Sequence, residues 1–137
     1  MTDYLVDNSV WAKLASGDIG ITARLRRIER APADLFVTCP PQVLEFCHSA
    51  RTPEEYRQYR ERIGLGFPLE RAPDESPVLD IQTALWDSGL VRSAGAVDIL
   101  IAGYAIVNDA TVLTADHDFD HIASVTDLRH EYIAPSF

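Results

Sequence analysis

Four carboxylates stand out for where they fall along the chain: Asp7, Glu45, Asp98 and Asp116. Asp7 and Asp116 each follow a short β-prone apolar run, Tyr4-Leu5-Val6 and Thr111-Val112-Leu113-Thr114. In open α/β sheets, sites form beyond the carboxyl ends of the strands. Asp98 opens a segment, Ile99 to Val107, that is apolar on every side. A charge is not expected there without a partner or a capping role. Glu45 arrives from a third part of the chain. Acids packed together repel one another unless cations are shared among them, and hard divalent cations prefer carboxylate and water oxygens. The chemistry on offer is therefore a pocket for divalent metal. Taken one at a time, each acid has a plainer reading. Asp7 suits a helix N-cap, Glu45 shares a helical stripe with Gln42 and Ser49 that would face solvent, and Asp116, Asp118 and Asp120 suit a loop.

The elements that must position these acids are legible as alternating strands and helices. Tyr4-Leu5-Val6 reads as a strand, and Asp7-Asn8-Ser9 then caps a helix through Ala15. Gly17 and Gly20 break the chain before Ile21, Leu25 and Ile28, which repeat at i, i+4 and i+7 on an amphipathic helix. Leu35-Phe36-Val37-Thr38 is the next strand. Pro40-Pro41 starts a helix whose apolar face is Val43, Leu44, Cys47 and Ala50, with Glu45 beside it. Thr52-Pro53-Glu54-Glu55 is a capping-box start for another. Phe67-Pro68-Leu69 suits an edge strand, since proline cannot donate to a central ladder. Ser76-Pro77 opens a helix ending near Ser88-Gly89, and Glu131-Tyr132-Ile133 is a last strand. The alternation predicts an α/β fold of three layers, α/β/α, around a mainly parallel central sheet.

Bulk composition narrows the class. A chain of 137 residues that is 47% hydrophobic and 24% charged fits a single globular domain over 1–137. No apolar run approaches the roughly 18 residues of a membrane span, and the start carries no basic-then-apolar leader, so a cytoplasmic protein without membrane attachment is expected. Cys39 and Cys47 are the two cysteines and form no C-x-x-C pair, which argues against a disulfide framework or a cysteine zinc site. The net charge of −9 opposes phosphate binding over the whole surface. Bound cations would neutralise acids gathered in one pocket, while arginines cluster at 24–30 and 51–62.

The segments Tyr4-Leu5-Val6-Asp7-Asn8-Ser9, Glu45, Gly95-Ala96-Val97-Asp98-Ile99-Leu100-Ile101-Ala102 and Leu113-Thr114-Ala115-Asp116-His117-Asp118-Phe119 together resemble the PIN-domain pattern over the whole chain. The order and length are similar to those of the VapC toxins of toxin-antitoxin pairs. The resemblance implies a PIN-like fold and a metal-dependent endoribonuclease that cleaves structured RNA such as transfer or ribosomal RNA, inhibiting translation and growth. It implies that Asp7, Glu45, Asp98 and Asp116 coordinate or position one or two Mg²⁺ or Mn²⁺ ions, with Asp118 an added ligand. Ser9 matches a hydroxyl that helps fix the first acid. Asn8 stands where threonine or serine is usual, and its amide is expected to cap the helix. Lys13, Arg24, Arg27 and Arg51 are the candidate RNA contacts. A VapB-like antitoxin, a homodimer and a toxin-antitoxin hetero-oligomer are the implied partners.

Other chemistries have weaker footing. His48, His117, His121 and His130 offer acids and bases for a metal-independent ribonuclease, and His117 and His121 are spaced for zinc if helical. A receiver-like phospho-acceptor needs a lysine late in the sheet, whereas Lys13 lies near the start; a haloacid-type phosphatase needs Asp-x-Asp, whereas Asn8 and Ser9 follow Asp7. A PIN-like fold kept for binding RNA or protein is the remaining alternative.

Overall fold

The computed structural model describes residues 1–136. Twelve elements follow in order: β1 (Asp3–Val6), α1 (Asn8–Ala15), α2 (Ile19–Arg30), β2 (Leu35–Thr38), α3 (Pro40–His48), α4 (Pro53–Ile63), β3 (Phe67–Pro68), α5 (Glu75–Asp87), α6 (Ala96–Val107), β4 (Thr111–Thr114), α7 (Asp118–Val125) and β5 (Arg129–Tyr132). The strands form one sheet in the order β3-β2-β1-β4-β5, and every neighbouring pair is parallel. From β1 the chain winds outward to β2 and β3 on one side, then returns to lay β4 and β5 on the other. The winding direction therefore reverses between β1 and β4, where open α/β sheets leave a crevice at the strand carboxyl ends.

The pleat sorts the strand residues into two layers. Leu5, Val37 and Val112 bury against Ile81 and Leu85 of α5, Ile99, Ile101, Ala102 and Ala105 of α6, and Phe119 and Ile122 of α7. Tyr4, Val6 and Leu113 face the other way, onto Val10 of α1 and Ile21, Leu25 and Ile28 of α2. Helices on both faces account for the near-continuous apolar strands. A smaller cluster, Phe46, Cys47 and Ile63 with Trp11 and Tyr59 against it, ties α3 and α4 to α1. Among the described residues no helix is long and apolar enough to cross a membrane.

Two local features depart from the sequence expectations. Gly17, at φ 82°, is the break after α1, but Gly20 lies inside the first turn of α2, because Asp18 caps that helix by accepting from the Ile21 N–H at 3.0 Å. Buried Asp18 also accepts from the Ser136 N–H at 2.6 Å, fastening the C-terminal segment to α2. The expected apolar face of α3 is rotated: Gln42, Phe46 and Cys47 are buried and Leu44 is 70% exposed. The cause is Gln42, whose amide donates to the Val6 carbonyl at 2.6 Å and accepts from the Cys39 N–H at 3.2 Å, closing the start of α3 onto β1. Asp116 lies between β4 and α7, and Asp118 begins α7. β3 is the expected edge strand, two residues long.

Gln42→Leu removes both of these bonds and leaves a buried carbonyl and a buried N–H unpaired. Loss of about 1–3 kcal/mol of stability is expected by chemical denaturation, and an unchanged midpoint would show that α3 is held otherwise.

Candidate metal centre

Asp7 follows β1 directly and stands at the N-cap position of α1, yet its side chain makes no capping bond. Its Oδ2 instead accepts from Ser9 Oγ at 2.7 Å and from Thr114 Oγ1 at 3.2 Å. Each hydroxyl is itself oriented by the chain leaving β4: Ala115 N–H donates to Ser9 Oγ at 2.9 Å and Asp116 N–H to Thr114 Oγ1 at 3.2 Å. With its proton directed at Asp7 and its lone pair satisfied by backbone, neither hydroxyl is free to turn away. The Asp7 N–H completes the seam by donating to the Leu113 carbonyl at 2.9 Å. Among the described residues only one carboxylate oxygen of the buried Asp7 accepts a hydrogen bond, which leaves the other for a ligand.

Glu45 of α3 and Asp98 of the first turn of α6 meet Asp7 across the strand ends. One oxygen from each of the three carboxylates lies within 4.8 Å of the others. The electrostatic consequence is severe for Asp98: burial first, then the charges of Asp7, Glu45, Asp118 and Asp116, push its carboxyl up to about 7. Burial, then Asp7 and Asp116, raises Glu45. Asp116 is also raised, chiefly by burial, although the Asp118 N–H donating to its Oδ1 at 3.0 Å works the other way. Asp116 and Asp118 lie outside the tightest group of three but close enough to act on it through their charge. Half-buried acids that each raise the cost of a neighbour's charge call for a countercharge, and oxygen-only donors at this spacing suit a hard divalent cation.

Some expected contributors play other parts. Asn8 is the first residue of α1, directly after Asp7 at the N-cap position. Arg24 is engaged within the fold: its Nε donates to Glu131 Oε2 at 2.5 Å, and its Nη2 donates to Glu131 Oε1 at 2.8 Å and the Tyr4 hydroxyl at 2.9 Å, pinning α2 to β5 and β1. Arg27 is exposed on α2, Arg51 is exposed between α3 and α4, and Lys13 is half-buried one turn along α1 from Ser9. His117 stacks on Tyr132 with ring centroids 4.2 Å apart. His117 and His130 both bond Asp120, at 2.7 and 2.6 Å, and these bonds hold Asp120 below the usual carboxylate range. That arrangement braces α7 against β5 and leaves His117 turned to Asp120, not to His121. Thr114 and Gln42 were not singled out from sequence. Thr114, fully buried at the last position of an otherwise apolar strand, is the one that carried a signal.

The PIN domain family matches residues 4–125. Ribonuclease VapC2 of Mycobacterium tuberculosis is 35% identical, over 96% of this chain and 94% of that protein. Ribonuclease VapC21 of the same species is 33% identical over 96% and 94%. Among solved structures, VapBC2 of Rickettsia felis bound to a promoter DNA fragment aligns with a TM-score of 0.73 at 14% identity, over 97% of this chain and all of that one. DNA-bound VapBC of Salmonella typhimurium gives 0.73 at 17%, over 96% and 98%. At these identities the structural likeness is one of fold, and it agrees with the parallel α/β/α architecture. Kinship rests on the family match and on near-complete alignment with the mycobacterial ribonucleases: the chain belongs to the PIN-domain family, among the VapC ribonucleases.

Proposed function

We propose that this protein is a divalent-metal-dependent endoribonuclease, the toxin of a toxin-antitoxin pair, acting on structured RNA such as transfer or ribosomal RNA. The observation that carries the reading is the convergence of Asp7, Glu45 and Asp98 within 4.8 Å, with Asp98 raised to about 7. A bound Mg²⁺ or Mn²⁺ would generate a hydroxide from water and stabilise the departing oxygen, leaving 5′-phosphate and 3′-hydroxyl ends. Asp7, held by Ser9 and Thr114, supplies a fixed oxygen for that ion. Asp98 and Glu45, both raised by burial and neighbouring acids, would supply further oxygens to the ion, and Asp116 and Asp118 set the outer boundary of the acidic pocket. The VapBC assemblies of the structural relatives support an antitoxin partner for this chain. A basic side chain entering the pocket would replace metal charge. Leu44, 70% exposed one residue from Glu45, is apolar surface suited to cover by antitoxin or a second copy.

Asp7→Asn and Asp98→Asn are each expected to lower RNA cleavage by roughly 100-fold or more, since metal-supported transition-state stabilisation is worth several kcal/mol. Mapping 5′-phosphate ends in cells expressing wild type and Asp7→Asn checks both the activity and its target. EDTA is expected to abolish cleavage and added Mg²⁺ or Mn²⁺ to restore it; cleavage that survives EDTA and leaves cyclic phosphate would point to the histidines instead.

A second outcome concerns pH. In metal-free protein Asp98 keeps its proton to about pH 7, against an ordinary value of 3.8. The native state thus binds this proton more tightly than the unfolded chain, so its contribution is fully present below about pH 4 and is lost as pH rises to 7. Without metal, Asp98→Asn is expected to melt a few degrees above wild type at pH 8 and level with it at pH 4. Equal melting at pH 8 would contradict this electrostatic account.

A further inference from the structure

Beside the carboxylates lies a cavity of about 350 Å³ between α5, α6 and the segment joining them. Its floor is apolar, from the buried Leu85 and Ile99. One wall is the Trp86 side chain, 51% exposed, and the exposed rim carries the Gln82 amide and the Arg92 guanidinium. Gly95 is shared ground: it lines this cavity, and a Cβ built on it would lie 3.8 Å from Asp98 Oδ2. Gly95, at the start of α6, thus links the cavity lining to Asp98 of the metal centre.

The connecting segment is firmly built. Leu90 N–H donates to the Leu85 carbonyl at 2.8 Å and Gly89 N–H to that of Trp86 at 3.1 Å, with Gly89 at φ 76°, a closure typical of helix C-termini. Ser93 N–H then donates to the Leu90 carbonyl at 3.1 Å, closing a turn whose third residue is Arg92 at φ 57°. Glycine or asparagine is the ordinary occupant of such a backbone position. Here a long cation stands at it, and among the described residues no carboxylate pairs with it.

We propose that this cavity is a nucleotide subsite of the substrate-binding surface, in which a base of single-stranded RNA next to the scissile phosphate stacks on Trp86 while Arg92 holds a flanking phosphate. The proposal rests on the ribonuclease reading of the neighbouring carboxylates. Aromatic faces accept any base and guanidinium groups favour phosphate oxygens. The volume suits one small ligand, at the low end of the roughly 300–1,000 Å³ of ligand pockets. In a chain of net charge −9, an exposed cation lining this cavity gives the polyanion a local foothold. Gln82 is placed to read a base edge, so the pocket contributes to target choice.

The test uses full-length Asp98→Asn protein and a short single-stranded oligoribonucleotide, with tryptophan emission as the readout. Binding is expected to quench the exposed Trp86. Trp86→Ala and Arg92→Asn should each weaken binding about tenfold, while Trp86→Phe retains most of it. Asparagine keeps the turn, and its loss of charge should lower the slope of log affinity against log salt by about 0.7. In cleavage-competent protein the same substitutions should raise KM more than they lower kcat. Cleaving wild type whose KM and oligonucleotide affinity are indifferent to Trp86→Ala would overturn the subsite alone. So would a Trp86→Ala change confined to oligomeric mass, which would make this face a protein interface. If wild type cleaves no RNA with Mg²⁺ or Mn²⁺, the ribonuclease reading fails, and Trp86- and Arg92-dependent binding still decides for or against the nucleotide site.

Discussion

Like charges brought together in a half-dry crevice are the constraint around which this molecule is arranged. Left to themselves Asp7, Glu45 and Asp98 would separate, because each raises the cost of ionising its neighbours. They stay together because each is delivered by a different rigid element: the exit of β1, the middle of α3 and the first turn of α6. The strain falls unevenly. Asp98 and Glu45 are raised above the usual carboxylate range, whereas Asp7 is given two hydroxyl donors. Site and scaffold are thus opposed in stability, and a bound cation would turn the least favourable cluster in the fold into a point of cohesion.

The seam between β1 and β4 does most of the positioning. Parallel pairing aligns Val6 with Leu113, so the residues just beyond them, Asp7 and Thr114, come level at the sheet edge. Ser9 reaches back from α1 to bridge the two. On the other side Gln42 binds the Val6 carbonyl, so the strand that presents Asp7 is also the anchor for the helix that presents Glu45. A small set of polar side chains thereby ties three carboxylate-bearing elements to a single strand end.

How much of this was readable in advance depended on range. Strand ends followed by acid revealed Asp7 and Asp116, and an apolar helix opened by acid revealed Asp98, because those signals lie within a few neighbouring residues. Glu45 had no such signal and emerged from the overall likeness to PIN domains. Ser9 with Thr114 are 105 residues apart, Gln42 with Val6 are 36 apart, and Asp18 with Ser136 are 118 apart, so nothing local announces those pairings. The same blindness explains Arg24, which looked like a free surface cation until β5 brought Glu131 against it, and the face of α3, which Gln42 turns away from the one its apolar residues suggested.

The order of strands in the sheet has a consequence for how the protein is made. Because β1 pairs with β4, the hydroxyl cradle around Asp7 needs Thr114 and Ala115, which the ribosome adds more than a hundred residues later. At about 5–20 residues per second, that interval lasts roughly 5 to 20 s. Throughout it Asp7 lacks the Thr114 hydroxyl and Ser9 lacks the Ala115 N–H that orients it. A carboxylate cradle drawn from segments more than a hundred residues apart cannot close until both have been synthesised.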